Sequence, residues 1–252
     1  MSSKYTIEVC TYSAESVAEA ARGGANRCEL CSASPEGGCT PSPGEIWKAR
    51  QVPGVKLMVM IRPRGGDFLY TNDEIDIMIQ DIDTAKRLGA DGVVFGCLTA
   101  EGDIDVVQMK KLMSHCSGLD VTCHRAFDMC RDPFRSLEDL ISIGVNRVLT
   151  SGLKSKAVEG ISTLKKLVDQ SNGRIIIMPG CGVNKTNIVQ IAEGTGAKEI
   201  HFSAKGLVSS TINYRNDEVS MSGPDRSVII DEYSIDVTSS ELVNLIKSKL
   251  ND

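Results

Sequence analysis

Short runs of apolar and β-branched residues recur along the chain, and after each comes a stretch whose apolar positions repeat every three to four residues. The first pattern predicts strands over Thr6–Cys10, Arg27–Cys31, Lys56–Ile61, Gly92–Phe95, Asp120–His124, Arg147–Thr150, Arg174–Met178 and Glu199–Phe202. The second predicts helices over Ser13–Arg22, Pro43–Gln51, Asn72–Leu88, Asp105–His115, Pro133–Ile143, Lys156–Gln170, Lys185–Ala192 and Ser239–Leu250. Eight strands alternating strictly with eight helices imply a parallel sheet covered by helices. Residues 22–27, 88–92, 143–147 and 194–198 each put a glycine at a helix end, where a left-handed cap forms just before a strand. That recurring joint favours a closed (β/α)8 TIM barrel over its alternative, an open eight-stranded sheet. The 252 residues match the size of such a barrel and are read as one domain, 1–252. Residues 204–237, between the last strand and the last helix, break the rhythm. A connection that long serves as a lid or an interface arm, or is partly disordered.

Composition narrows the partners. A net charge of −5 argues against a nucleic-acid surface, which needs a basic stripe. No apolar run is long enough to cross a membrane. Met1-Ser2-Ser3-Lys4 leads straight into a strand pattern without the apolar segment of a secretory signal, so a cytoplasmic location is expected. In that compartment the nine cysteines are thiols. With aromatics at only 4%, the core must be built from aliphatic side chains.

In a barrel of this kind, chemistry gathers at the C-terminal ends of the strands. The first two strands end alike, in Glu8-Val9-Cys10 and Glu29-Leu30-Cys31. Alternation puts Glu8 with Cys10, and Glu29 with Cys31, on the inner face, leaving Ile7, Val9, Cys28 and Leu30 to face the helices. Buried carboxylates need a cation or a proton. The pair therefore marks either a site or an internal ion pair with arginine. Arg62-Pro63-Arg64-Gly65-Gly66-Asp67 after strand 3 makes a stiff cationic turn suited to a carboxylate or phosphate. The same arginines can instead serve only to neutralise the two glutamates. After strand 5 come His124, Arg125 and Asp128, with His124 placed to act as a base or ligand oriented by Asp128. His115 falls at a helix end, and His201 lies within strand 8 and reads as a core histidine. Strand 6 leads to Ser151, and glycine-rich turns after strands 7 and 8 are candidate phosphate cradles.

Cys28 and Cys31 have a chelating spacing, but on a strand they face opposite sides. Cys10 and Cys31 are the better pair. They end adjacent strands, point inward and offer two soft ligands suited to Cu(I), with Cys39 a possible third. No four-ligand zinc spacing is present.

The segments Glu8-Val9-Cys10, Glu29-Leu30-Cys31, Ile61-Arg62-Pro63-Arg64-Gly65-Gly66-Asp67-Phe68, His124-Arg125-Ala126-Phe127-Asp128, Leu149-Thr150-Ser151-Gly152 and Ser220-Met221-Ser222 together resemble the CutC family. Glu36-Gly37-Gly38 and Thr40-Pro41-Ser42 add to the match, and Cys39 and Cys181 depart from it. The resemblance implies a cytoplasmic, self-associating barrel, a homodimer or larger homo-oligomer, that takes part in copper control. Two functions follow. One is Cu(I) binding through Cys10 and Cys31. The other is an enzyme that holds a small anionic or phosphorylated substrate through Arg62, Arg64, Asp67, Arg125 and Ser151, with Glu8, Glu29, His124 and Asp128 as its catalytic candidates. A binding scaffold without chemistry is the third reading.

Overall fold

The computed structural model describes residues 4–219, 221 and 231–250. Eight strands, β1 (Thr6–Thr11), β2 (Arg27–Leu30), β3 (Lys56–Met60), β4 (Gly92–Phe95), β5 (Asp120–Cys123), β6 (Arg147–Thr150), β7 (Ile176–Pro179) and β8 (Glu199–Phe202), run parallel. Their order is β7-β6-β5-β4-β3-β2-β1-β8, and β7 and β8 lie side by side without a ladder. The result is a nearly closed (β/α)8 barrel. Its helices are α1 (Ala14–Arg22), α2 (Pro43–Ala49), α3 (Asn72–Arg87), α4 (Val106–Met113), α5 (Pro133–Ser142), α6 (Ile161–Ser171), α7 (Ile188–Thr195) and α8 (Ser240–Ser248).

The starts of the helices are written locally. Ser13, Ser42, Thr71, Asp105, Asp132 and Ser239 each accept a hydrogen bond from a first-turn N–H, and prolines open α2 and α5. Strand parity then sorts the interior. Ile7, Val9, Cys28, Leu30, Leu57, Val59, Val93 and Phe95 form the layer between sheet and helices, packed with Val17, Ile75, Met78 and Ile82. Each such side chain contributes about 1.5–3 kcal/mol by leaving water. Opposite parity sends Cys10, Cys31, Met58, Met60 and Val94 into the barrel as a separate cluster. Gly92 is required there, because a Cβ would lie 2.4 Å from the backbone carbonyl oxygen of Asp120.

Three departures from the sequence reading have local causes. α7 begins at Ile188, three residues later than its pattern, because Asn184 and Asn187 bond their own neighbourhood. Asn184 Oδ1 accepts from Thr186 N (2.9 Å), and Asn187 Oδ1 accepts from Asn184 N (2.8 Å). A short 3-10 turn, Ala157–Gly160, precedes α6. Within the long connection, β9 (Lys205–Ser209) and β10 (Ser234–Thr238) pair antiparallel and carry the chain to α8. The turn after β8 therefore runs into a strand, not a helix N-terminus, which removes half of the expected phosphate cradle. Ser220 and Ser222 lie outside the described residues.

Candidate functional site

Polar residues enter the barrel in two rings. The lower ring begins with Arg27, whose guanidinium bonds Glu8 and reaches Glu199 at 2.5 Å. Arg147 Nε also reaches Glu199 at 2.5 Å, and its Nη1 donates to Thr122 Oγ1 at 3.3 Å. Glu8 is closed on its other side by His201 Nδ1 at 2.9 Å. Burial alone would raise the pKa of Glu8, but Arg27 and His201 hold it down at about 2. Glu8 is thus answered by Arg27 and His201 and Glu29 by His201, while Arg147 pairs with Glu199. The alternative role read for Arg62 and Arg64, neutralising Glu8 and Glu29, is not taken up.

Two residues further along β1 and β2 lies the upper ring. Cys10 is opposite Glu29 in the β1–β2 register, and Glu8 is opposite His201 in β1–β8. Ligand atoms of Cys10, Glu29 and Cys31 all lie within 4.8 Å of one another, and so do those of Glu8, Glu29 and His201. Cys31 Sγ donates to Glu29 Oε2 at 3.7 Å, and His201 Nε2 lies 3.7 Å from the same oxygen. Burial opposes a charge on His201, yet Glu29, Cys10 and Glu8 raise its pKa well above the ordinary value. The hydrogen bond from Cys31, together with His201, lowers the pKa of Cys10 well below the thiol range, while Cys31 is raised. These directions favour negative charge on the Cys10 sulfur beside positive charge on the His201 ring. Burial and the Cys10 sulfur push Glu29 well above the carboxylate range, and its Oε1 has no partner among the described residues.

Above the upper ring opens a cavity of about 330 Å³ at the C-terminal mouth, lined by Cys10, Glu29, Arg62, His124, Arg125 and His201 among others. His124 is buried, and its Nδ1 accepts the Ala126 N–H at 3.2 Å. Nδ1 consequently carries no proton, and the neutral ring has its hydrogen on Nε2, an atom without a partner. Burial and the nearby Arg62 hold the pKa of His124 at about 3. It does not bond Asp128, so the expected His–Asp orientation does not form. Asp128 accepts instead from Thr150 Oγ1 (2.5 Å), Ser151 N (3.0 Å), Ser151 Oγ (3.0 Å), Leu153 N (3.1 Å) and Arg125 Nε (2.7 Å). Asp128 and Ser151 thereby shape the loop after β6 and aim Arg125 at the cavity, where its Nη1 meets Cys181 Sγ at 3.3 Å.

The arginines astride Pro63 separate. Arg62 enters the barrel and donates to the carbonyls of Glu36 (2.7 Å), Gly38 (3.0 Å) and Gly66 (2.8 Å). Arg64 turns outward to Glu74 (2.5 Å) and Asp67 (3.1 Å), because Glu74 belongs to the capping box of α3. Neither Arg64 nor Asp67 lines the cavity. Cys39 forms a backbone bridge with Ser32 and is no part of the sulfur cluster. His201 is a buried, hydrogen-bonded histidine within β8, as read, but its place in the polar rings was missed. Its parity with Glu199 would have placed it inside the barrel with the other polar groups.

A model of the CutC family matches residues 5–206. The chain belongs to the CutC family. A CutC family protein of Bacteroides thetaiotaomicron is 53% identical over 97% of this chain and 98% of its own length. A copper homeostasis protein cutC homolog of Homo sapiens is 49% identical over 93% of this chain and 85% of its own length. The crystal structure of a CutC protein of Streptococcus agalactiae superposes with a TM-score of 0.76 at 35% identity, covering 79% of this chain and 98% of that one. No helix among the described residues is long and apolar enough to cross a membrane.

Proposed function

We propose that this CutC family member binds Cu(I) at the floor of the barrel mouth, through the sulfurs of Cys10 and Cys31. The clustering of those two sulfurs around Glu29, within 4.8 Å, carries the reading. Soft thiolates select Cu(I) over hard cations. Two thiolates around one Cu(I) leave a charge of −1, which a protonated His201 ring beside Cys10 would offset. Binding displaces thiol protons, so affinity rises with pH. The copper homeostasis names of relatives support the assignment. Nine free cysteines support a reducing, cytoplasmic setting. Exposed Leu207, Val208 and Ile235 on the β9–β10 ribbon support self-association.

Anaerobic titration of Cu(I) against a colorimetric chelator tests the site. One equivalent is expected to bind, and Cys10→Ser and Cys31→Ser should each weaken it by more than about a hundredfold, beyond the 10–100-fold typical of losing only a supporting contact. Unchanged affinity in both variants would overturn the reading.

A second reading, an enzyme acting on a small anionic substrate, draws on a different observation. Glu29 Oε1 and His124 Nε2 are buried polar atoms without partners in a cavity far larger than one ion. A volume of about 330 Å³ falls within the range of small-molecule sites, about 300–1,000 Å³.

A further inference from the structure

Three arginines are buried among the described residues, Arg27, Arg62 and Arg147. Arg27 bonds Glu8 and Glu199, and Arg147 bonds Glu199. Arg62, only 6% exposed, meets backbone carbonyls and the face of Phe68, but no carboxylate among the described residues. Carbonyl dipoles orient its guanidinium without cancelling its charge, and its Nε–H has no acceptor of good geometry among the described residues, where the likewise unpartnered Tyr70 hydroxyl is its neighbour. A buried cation left in this state is costly unless an anion completes it.

The second orphan donor lies close by. His124 packs against the same Phe68, with ring centroids 4.9 Å apart. Its Nδ1 is committed to the Ala126 N–H, so the proton of the neutral ring sits on Nε2, and that N–H also lacks an acceptor. A histidine fixed in this tautomer donates a hydrogen bond and cannot accept a proton at Nε2. This reverses the role of base that its position at a strand end suggests.

We propose that Arg62 and His124 together receive the carboxylate of a small organic acid, whose remaining atoms extend over the floor formed by Cys10 and Glu29. The inference rests on the second reading above and names its substrate class. One guanidinium charge and two orphan N–H groups match a monoanion with two oxygens. A phosphate dianion, with three oxygens to satisfy, asks for more donors than these two residues offer. The cavity holds a molecule of a few carbons. The carbonyl or hydroxyl end of such an acid would lie toward Glu29 Oε1, the third orphan atom of the cavity.

Calorimetric titration of the intact protein with acetate, lactate, pyruvate and inorganic phosphate tests the assignment. At least one carboxylate is expected to bind with one-to-one stoichiometry. Arg62→Met removes the charge but also three carbonyl contacts, so it can fail to fold. His124→Asn is therefore the deciding variant. Its side-chain oxygen can accept the Ala126 N–H in place of Nδ1, while the distal donor is gone. It should keep the native circular dichroism spectrum and lose roughly tenfold or more in carboxylate affinity, as expected for a charge-assisted bond. Phosphate binding without carboxylate binding would overturn the substrate class while leaving an enzyme of anionic substrates standing. Equal carboxylate affinity in wild type and a folded His124→Asn would overturn the role of His124. Carboxylate binding that depends on His124, but without any turnover, would uphold the site and remove the enzyme reading.

Discussion

Glu8 and Glu29 sit on neighbouring strands, both point into the barrel and both are buried, yet their surroundings differ. Glu8 belongs to a ring in which every charge is answered: Arg147, Glu199, Arg27, Glu8 and His201 form an unbroken chain of ion pairs. Glu29, one level higher, shares one oxygen with Cys31 and His201 and leaves the other unpaired. His124 and Arg62, at the same mouth, likewise each have an atom without a partner. A buried polar group satisfied within the chain stabilises one arrangement of the chain. One left unsatisfied costs stability, a cost that a ligand would offset on the proposed function. On that reading the two rings separate scaffold from site within a single barrel interior.

The largest effect that sharpens this contrast comes from the lower ring. Arg27→Met leaves Glu8 and Glu199 short of a cation and is expected to cost about 3–5 kcal/mol, the penalty of breaking a buried pair from one side. Urea unfolding measures it, and a loss below about 1 kcal/mol would show that the lower ring is not the anchor it looks like.

The second effect is pH dependence, because the two rings titrate in different windows. Glu8 has a folded pKa of about 2, below its unfolded value near 4.5. Its contribution is present above pH 4.5 and is lost as pH falls toward 2, an effect of about 3 kcal/mol. His124 is also depressed, from 6.5 to about 3, so the unfolded chain takes up its proton first. The contribution of His124 is full above pH 6.5 and is lost as pH falls to 3. Unfolding free energies at pH 7, 4.5 and 2.5 should therefore fall in two stages. His124→Asn should flatten the first stage, and Glu8→Gln the second. A His124→Asn profile that matches wild type between pH 7 and 4.5 would contradict a buried neutral ring.

The smallest effect concerns Arg64. Its ion pairs with Glu74 and Asp67 are solvent-exposed, so Arg64→Ala should change stability by less than about 1 kcal/mol and leave Cu(I) affinity unaltered. A large change in ligand binding would return Arg64 to the site.

Much of this architecture is legible along the chain. Alternating patterns, N-caps and glycine joints locate all eight strands and eight helices, because those signals act over a few residues. Strand parity separates Ile7, Val9, Cys28 and Leu30 from Glu8, Cys10, Glu29 and Cys31, because a strand repeats every two residues. The β9–β10 ribbon was not legible. Its two strands are short, mostly exposed and more than twenty residues apart, so neither carries a buried face to mark it.

Within the candidate site, residue types and strand ends pick out Cys10, Cys31, Glu29, Arg62, His124 and Arg125; the fold brings five of them to one mouth and sets Cys31 beside Cys10 and Glu29. Which partner each one takes is a different matter. Arg62 and Arg64 are alike in sequence, and only the nearby capping box of α3 draws Arg64 outward. Asp128 follows His124 closely, yet Ser151 and Thr150 claim it from the next strand. His201 became a central residue because β8 closes the barrel beside β1, which sets it opposite Glu8, 193 positions away in the chain. Local periodicity determined the elements and the direction in which each side chain points. The pairing of charges depends on distances across the barrel, and only closing the sheet on itself could set those.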